Sequence, residues 1–265
     1  MARFLQLSDL HVVKEGARAS GVLDTRSIMR AAIDRLIAMR PGLDPLDALL
    51  VSGDISDDGS ADSYTFARVE LERLDLPIHV VPGNHDARET FRAAFADLAE
   101  MPSEGLFDWA VTIGDTVVIG LDTLVEGQGG GRLRADSLEL LRNALNATGS
   151  GPVVVMLHHP PLRTGIRFMD AIGLENPDAL ETTLADTDRH VTLIAGHVHG
   201  VHHGQLGRHR VATAPSICSG FVLDRRTEAT VGFFEGPTGC AVIDTARDGI
   251  WSAVPLDLSN GPFPF

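Results

Sequence analysis

The chain reads as an α/β protein built on a parallel sheet with helices packed against it. Three observations predict this. Short apolar runs alternate with helical patterns through the first hundred residues. Two of the helical patterns begin at a capping residue. Several of the apolar runs end in residues of the metal-coordinating type, as strands of a parallel sheet do when they share a site at one edge.

The elements follow in order. Residues 4–8 form an apolar strand, and 25–39 a helix with Asp24 as N-cap and Pro41 just past its end. Residues 48–52 are the next strand. A helix over 61–74 starts after Ser60, a strand covers 77–81, and a third helix spans 88–98. Residues 109–113 and 117–121 flank Gly114-Asp115 and predict a hairpin. A helix over 135–145, a strand over 153–157, a helix over 177–185 and a strand over 191–195 continue the alternation. After Gly200 the pattern predicts antiparallel strands at 211–214, 220–223, 230–234, 240–244 and 250–254. There is no internal repeat or linker, and the glycine-rich run 127–131 predicts a mobile loop.

A chain of 265 residues is long enough for one large α/β domain. Its net charge of -14 argues against a polymeric nucleic acid or an anionic membrane as partner. A phosphate-bearing substrate would need a local reversal of sign, which bound cations supply. Only two cysteines, Cys218 and Cys240, and no signal-peptide or membrane-span pattern predict a reduced, cytoplasmic protein.

Five strand ends carry the chemistry: Ser8-Asp9-Leu10-His11, Gly53-Asp54, Gly83-Asn84-His85-Asp86, His158-His159-Pro160-Pro161 and Gly196-His197-Val198-His199-Gly200. A parallel sheet brings such ends together although they lie far apart along the chain. If the D-x-H and H-x-H pairs are extended, each pair points to one side. Glycines before Asp54, Asn84 and His197 allow close backbone approach. Carboxylate, amide oxygen and imidazole without thiolate suit manganese, iron, cobalt or zinc in a non-structural site. Any one of these clusters has a bland explanation as a turn or a strand stop; all five at strand ends point to a shared site. Residues 54–59 begin like a calcium loop, but its twelfth position is Thr65 rather than glutamate. The 127–131 run lacks the Gly-Lys-Ser/Thr ending of a phosphate-cradling loop, and there is no G-x-S-x-G elbow.

This series of motifs, spanning residues 9 to 200, resembles the calcineurin-like metallophosphoesterases. Gly21-Val22-Leu23-Asp24, the 158–161 motif and the stretch Met169 to Asn176 resemble the bacterial branch of glycerophosphodiesterases and class III cyclic nucleotide phosphodiesterases. The resemblance implies a four-layer αββα sandwich with two mixed β-sheets flanked by helices. It would be a single domain, 1–265, whose strand-rich part 201–265 completes the second sheet and offers an oligomer interface. It implies two divalent or trivalent metal ions, with Asp9, His11 and His199 on the first, Asn84, His158 and His197 on the second, and Asp54 between them. Some members of this branch carry a substrate-side histidine at the stretch corresponding to 215–221, where this chain has none.

The expected reaction is hydrolysis of a small-molecule phosphodiester, a cyclic nucleotide or a glycerophosphodiester, by in-line attack of a metal-bridging hydroxide. His85 is the expected acid for the leaving oxygen. Asn84, His85, His159 and His199 are the expected substrate contacts, and Asp86 is expected to orient an imidazole. Phosphomonoester hydrolysis on the same site, and a non-catalytic metal-binding scaffold, are the alternatives. A homo-oligomer is expected, since exposed strand edges need cover.

Overall fold

A computed structural model describes residues 1–147, 149–246 and 249–257. The end of the predicted 201–265 tail, residues 258–265, lies outside the described residues.

Two sheets face each other. The first has the order β11-β10-β1-β2-β3, from β1 (Arg3–Leu7), β2 (Ala48–Ser52), β3 (Ile78–Val81), β10 (Gly239–Asp244) and β11 (Ile250–Pro255). The second runs β4-β5-β6-β7-β9-β8, from β4 (Trp109–Ile113), β5 (Thr116–Leu121), β6 (Val153–Leu157), β7 (Val191–Ala195), β8 (His203–Leu206) and β9 (His209–Thr213). β1, β2 and β3 are mutually parallel, as are β5, β6, β7 and β9. Both sheets are mixed, because β10, β4 and β8 join antiparallel.

Strand alternation sorts the apolar side chains into three layers of core. Phe4, Ala48, Leu50, Val154, Met156 and Ile194 fill the space between the sheets, with Trp109. Their neighbours Leu5, Leu7, Leu49 and Val51 face the other way, onto α1 (Thr25–Leu43), α2 (Ala61–Glu72) and α3 (Arg88–Phe95). Val153, Val155 and Leu157 pack with Leu141 and Leu145 of α4 (Ala135–Ala147) and Leu180 and Leu184 of α6 (Pro177–Ala185). Helix, sheet, sheet and helix are therefore four layers, and runs that look continuously apolar in sequence divide their residues between two cores.

Both predicted caps form: Ser27 N–H donates to Asp24 at 3.2 Å and Ser63 N–H to Ser60 at 3.2 Å. Pro41 lies inside α1 rather than beyond it, and the turn that follows is closed by Asp44 N–H on the Arg40 carbonyl at 2.9 Å. A short helix that the pattern did not predict, α5 (Arg167–Asp170), follows the histidine pair. Asp170 accepts from the backbone N–H groups of Thr164 and Gly165 at 2.8 and 3.0 Å, fixing the loop before it.

The tail departs most from expectation. Its strands divide between the sheets: β8 and β9 extend the second, while β10 and β11 close the first. The predicted strands at 220–223 and 230–234 reduce to one bridge between Gly220 and Phe234. Val222, Leu223, Val231 and Phe234 there are exposed, so β-propensity finds no sheet edge to pair with. The 127–131 loop is not loose. Gly131 N–H donates to the Gly173 carbonyl at 3.1 Å, and Glu175 N–H donates back to Gly131 at 2.8 Å. Among the described residues, no helix is long and apolar enough to cross a membrane.

Gly120 of β5 tests the packing between the sheets. A Cβ there would overlap the buried Trp109 indole, whose N–H donates to the Val80 carbonyl at 2.8 Å. Gly120→Ala should destabilise the fold by about 1–3 kcal/mol, read as a lowered Tm in a circular-dichroism melt. An unchanged Tm would show that the indole has room to move.

Candidate metal centre

The loops after β1, β2, β3, β6 and β7 meet at the carboxyl edge of the two sheets, the place a parallel arrangement provides. Asp9 N–H donates to the Gly53 carbonyl at 3.1 Å and His11 N–H to the Asp54 carbonyl at 2.9 Å, joining the first two loops. His197 N–H donates to the Asp9 carboxylate at 3.0 Å, joining one sheet to the other.

The pairs do not converge through strand alternation. Asp9, His11, Asp54, His197 and His199 all have positive φ, at 54°, 46°, 50°, 70° and 46°. They are five of the seven non-glycine residues in that region among the described residues. Such a conformation costs on the order of 1–3 kcal/mol per residue, and it clusters where geometry serves a site. Left-handed kinks, rather than extended strands, aim these side chains. The flanking glycines are needed for space: a Cβ at Gly83 would overlap the Asp54 carboxylate, and one at Gly196 the Ser8 hydroxyl and Asp9 carboxylate.

Seven predicted residues come together in two groups around Asp54. In one, His11 Nε2 lies 3.0 Å from His199 Nε2 and 3.6 Å from Asp54 Oδ2, and His199 Nε2 is 3.5 Å from Asp9 Oδ1. In the other, His158 Nε2 lies 3.2 Å from the same Asp54 Oδ2 and 3.1 Å from Asn84 Oδ1, and His197 Nδ1 is 3.0 Å from Asn84 Oδ1. The opposite ring nitrogens are spoken for. His11 Nδ1–H donates to Asp57 at 2.9 Å, His158 Nδ1–H to the Ser52 carbonyl at 2.8 Å and His197 Nε2–H to the Ile172 carbonyl at 3.0 Å. His199 Nδ1 pairs with the Ser219 hydroxyl at 2.9 Å. The partners of His11 and His197 fix those tautomers with inward lone pairs, while His158 also keeps a proton on its inward nitrogen and donates it to Asp54. His11 Nε2 thus aims a lone pair at the His199 ring and His197 Nδ1 one at the Asn84 amide, and His158 and Asp54 share a proton that a cation in that group would displace. The donor set therefore fits two metal ions.

Asp9 and Asp54 are both buried. Burial drives the Asp9 carboxyl above the usual range; burial also opposes ionisation of Asp54, but the His158 charge and hydrogen bond outweigh it and hold Asp54 well below. Burial works against a proton on His158, yet Asp54 and Asp9 push it up to about 9. Burial and neighbouring imidazoles hold His197 and His199 well below the usual range, in the neutral form a metal ligand needs.

His85 sits at the rim, its backbone N–H donating to Asp54 Oδ1 at 2.9 Å and its Nδ1 3.1 Å from Asp57 Oδ1. Asp57 is a site residue that the sequence pattern does not single out; its Oδ1 holds both His11 and His85. Its signal was the spacing Gly53-Asp54-x-x-Asp57, which was absorbed into the rejected calcium loop. Two expectations need correction. His159 is fully buried, with Nδ1 on the Thr123 hydroxyl at 2.8 Å and Nε2 on the Gly129 carbonyl at 3.0 Å, so it holds a loop and is not placed to meet substrate. Asp86 orients no imidazole; it accepts from the N–H groups of Gly83 and Ser56 and the Tyr64 hydroxyl at 2.8, 3.0 and 3.0 Å.

Comparison with known proteins adds to this geometry. The family model described as calcineurin-like phosphoesterase matches residues 2–201. A 3′,5′-cyclic adenosine monophosphate phosphodiesterase, CpdA of Pseudomonas aeruginosa, is 37% identical over 231 residues, 83% of this chain and 80% of that one. A probable glycerophosphodiester phosphodiesterase, GpdQ of Arcobacter nitrofigilis, is 28% identical over 264 residues, 98% of this chain and 96% of that one. Among solved structures, a dimetal phosphatase from Danio rerio superposes with a TM-score of 0.70 at 14% identity, covering 97% and 96% of the two chains, a likeness of fold.

Burial lowers the His85 pKa, but the hydrogen bond to Asp57 and the charges of Asp54 and Asp57 outweigh it and raise it to about 9. Because the folded pKa is raised, this proton favours the native state fully below about 6.5 and the benefit is lost as pH rises through about 9. In protein stripped with chelator, the His85 imidazole should titrate near 9 by NMR, and Asp57→Asn should move it down. A titration already near the model-peptide value in the unsubstituted protein would remove Asp57 from this role.

Proposed function

Because the chain belongs to the calcineurin-like phosphoesterase family, we propose that it is a metal-dependent phosphodiesterase that hydrolyses a small phosphodiester, a cyclic nucleotide or a glycerophosphodiester. The observation that carries this is the two groups of nitrogen and oxygen donors that meet at one buried carboxylate, Asp54. Asp9, His11 and His199 would hold one ion, Asn84, His158 and His197 the other, with Asp54 shared. Manganese, iron, cobalt and zinc all suit these donors. When bound, the ions supply positive charge for the phosphoryl oxygens and lower the pKa of a coordinated water.

The chain's own residues do the rest. Asp57 keeps His11 in the right tautomer and orientation, and Ser219 holds the His199 ring in place. Asn84 and His199 border the cavity where the phosphate would lie, and His85 stands at its rim with a proton to give to the leaving alkoxide. The similarity to relatives named as cyclic nucleotide and glycerophosphodiester phosphodiesterases supports a diester substrate. Two buried, unpaired cysteines support a reducing compartment, the cytoplasm. The exposed apolar side chains at Val222, Leu223, Val231 and Phe234 support a homo-oligomer.

Turnover of bis-p-nitrophenyl phosphate should exceed that of p-nitrophenyl phosphate on manganese-loaded protein; a strong monoester preference would sink the diester reading. Asp54→Asn should lower both the metal content by elemental analysis and the rate. His85→Ala should keep the metal while kcat falls by roughly 10²–10⁴-fold, the usual scale for a lost general acid.

A further inference from the structure

The cavity beside the ligand cluster, about 220 Å³, has two kinds of wall. One is the cluster itself. The other is apolar, with Phe168, Phe221 and Phe233 joined by Leu23, Met169 and Ile172. The Phe221 ring stacks on His199 with centroids 4.5 Å apart and planes 26° apart, and Phe168 meets Phe221 edge to face at 5.1 Å. The aromatic wall thus starts on a predicted metal ligand and leads outward from it. Its position is fixed: Gly220 and Phe234 exchange backbone hydrogen bonds of 3.0 and 2.8 Å, pinning both ends of the segment that carries Phe221 and Phe233.

We infer that this wall is a nucleobase subsite, so that the diester held by the cluster is a cyclic nucleotide; the inference rests on the phosphodiesterase reading above. A phosphate at the cluster leaves its organic substituent against phenylalanine rings, which stack on any flat π-face with little demand for hydrogen bonds. A glycerol, ethanolamine or serine substituent brings donors, acceptors or an ammonium that would lose water there without return. Outside the seven ligands, the polar lining among the described residues is Asp57 and His85, which pair with each other beside the ligands, and Ser20, Ser219 and the Cys218 thiol, with Ser219 already engaged by His199. A quaternary ammonium could lodge among aromatic rings, but this wall contributes no carboxylate of its own to offset the charge.

The test uses the manganese-loaded full chain with 3′,5′-cyclic AMP, glycerophosphoethanolamine and glycerophosphocholine, beside Phe168→Leu and Phe233→Leu, which keep bulk and lose the ring. Binding of adenosine, measured by calorimetry, probes the wall without the phosphate. Cyclic AMP should be the best substrate, and each variant should raise its KM by about 10- to 100-fold, the scale of a lost base stack. The kcat/KM for glycerophosphoethanolamine should fall several-fold less than that for cyclic AMP, because its substituent has no π-face to stack on the lost rings. Adenosine should bind the unsubstituted protein and be lost from both variants. A preference for either glycerophosphodiester, or an equal loss on all three substrates in the variants, would overturn the subsite. Adenosine binding that depends on both phenylalanines, with no diester turned over, would uphold the subsite and overturn the phosphodiesterase reading instead.

Discussion

A buried carboxylate shared by two histidines is the constraint on which the rest of this molecule turns. Asp54 Oδ2 lies against both His11 and His158, and Asp9 is buried close by. Negative charge out of water is costly unless it is paired and hydrogen-bonded. The surroundings answer that cost twice over. The His85 backbone N–H donates to Asp54, the His197 backbone N–H donates to Asp9, and imidazole nitrogens line up in positions that suit cations. Holding that arrangement requires side chains aimed from left-handed backbone, which is unfavourable for residues with a Cβ. The apolar cores on three levels overdetermine the loops and keep them so.

Much of the frame was legible in the sequence because its signals are local. Val153 to Leu157 and Ala48 to Ser52 are too apolar and too short to be anything but buried strands, and Asp24 and Ser60 mark helix starts through one side-chain hydrogen bond each. The five motifs were legible because each sits where a parallel strand ends. What stayed hidden depends on partners remote along the chain. Residues 220–223 and 230–234 have strand-like composition, but no edge is free beside them. β8 (His203–Leu206) is polar and was missed, since pairing with β9 alone makes it a strand. Pattern also cannot say which sheet a tail strand will join; β10 lies between β1 and β11 because the first sheet has an open side there.

The site shows the same division. Ligand identity was readable, while the way the ligands are aimed was not, because alternation presumes extended backbone and these residues abandon it. Asp57 and His159 exchanged importance for a similar reason. His159 is next to His158 in sequence, but the chain turns it toward Thr123 and Gly129. Asp57 belongs to a motif that resembled something else, and only three-dimensional proximity shows that one oxygen serves His11 and His85 together.

The bond from the His197 amide to Asp9 crosses from one sheet to the other, and so does each proposed set of ligands. Asp9 and His11 follow β1, Asp54 follows β2 and Asn84 follows β3, while His158, His197 and His199 follow β6 and β7. Ions held there would act as rivets between two layers that otherwise meet through apolar side chains and hydrogen bonds such as those from Trp109 to Val80 and from Gln6 to Ala195. Ligands that bind only the native state stabilise it by mass action, so the melting temperature would follow the free concentration of the metal. A cell short of that metal would then hold a less stable fold as well as an idle site.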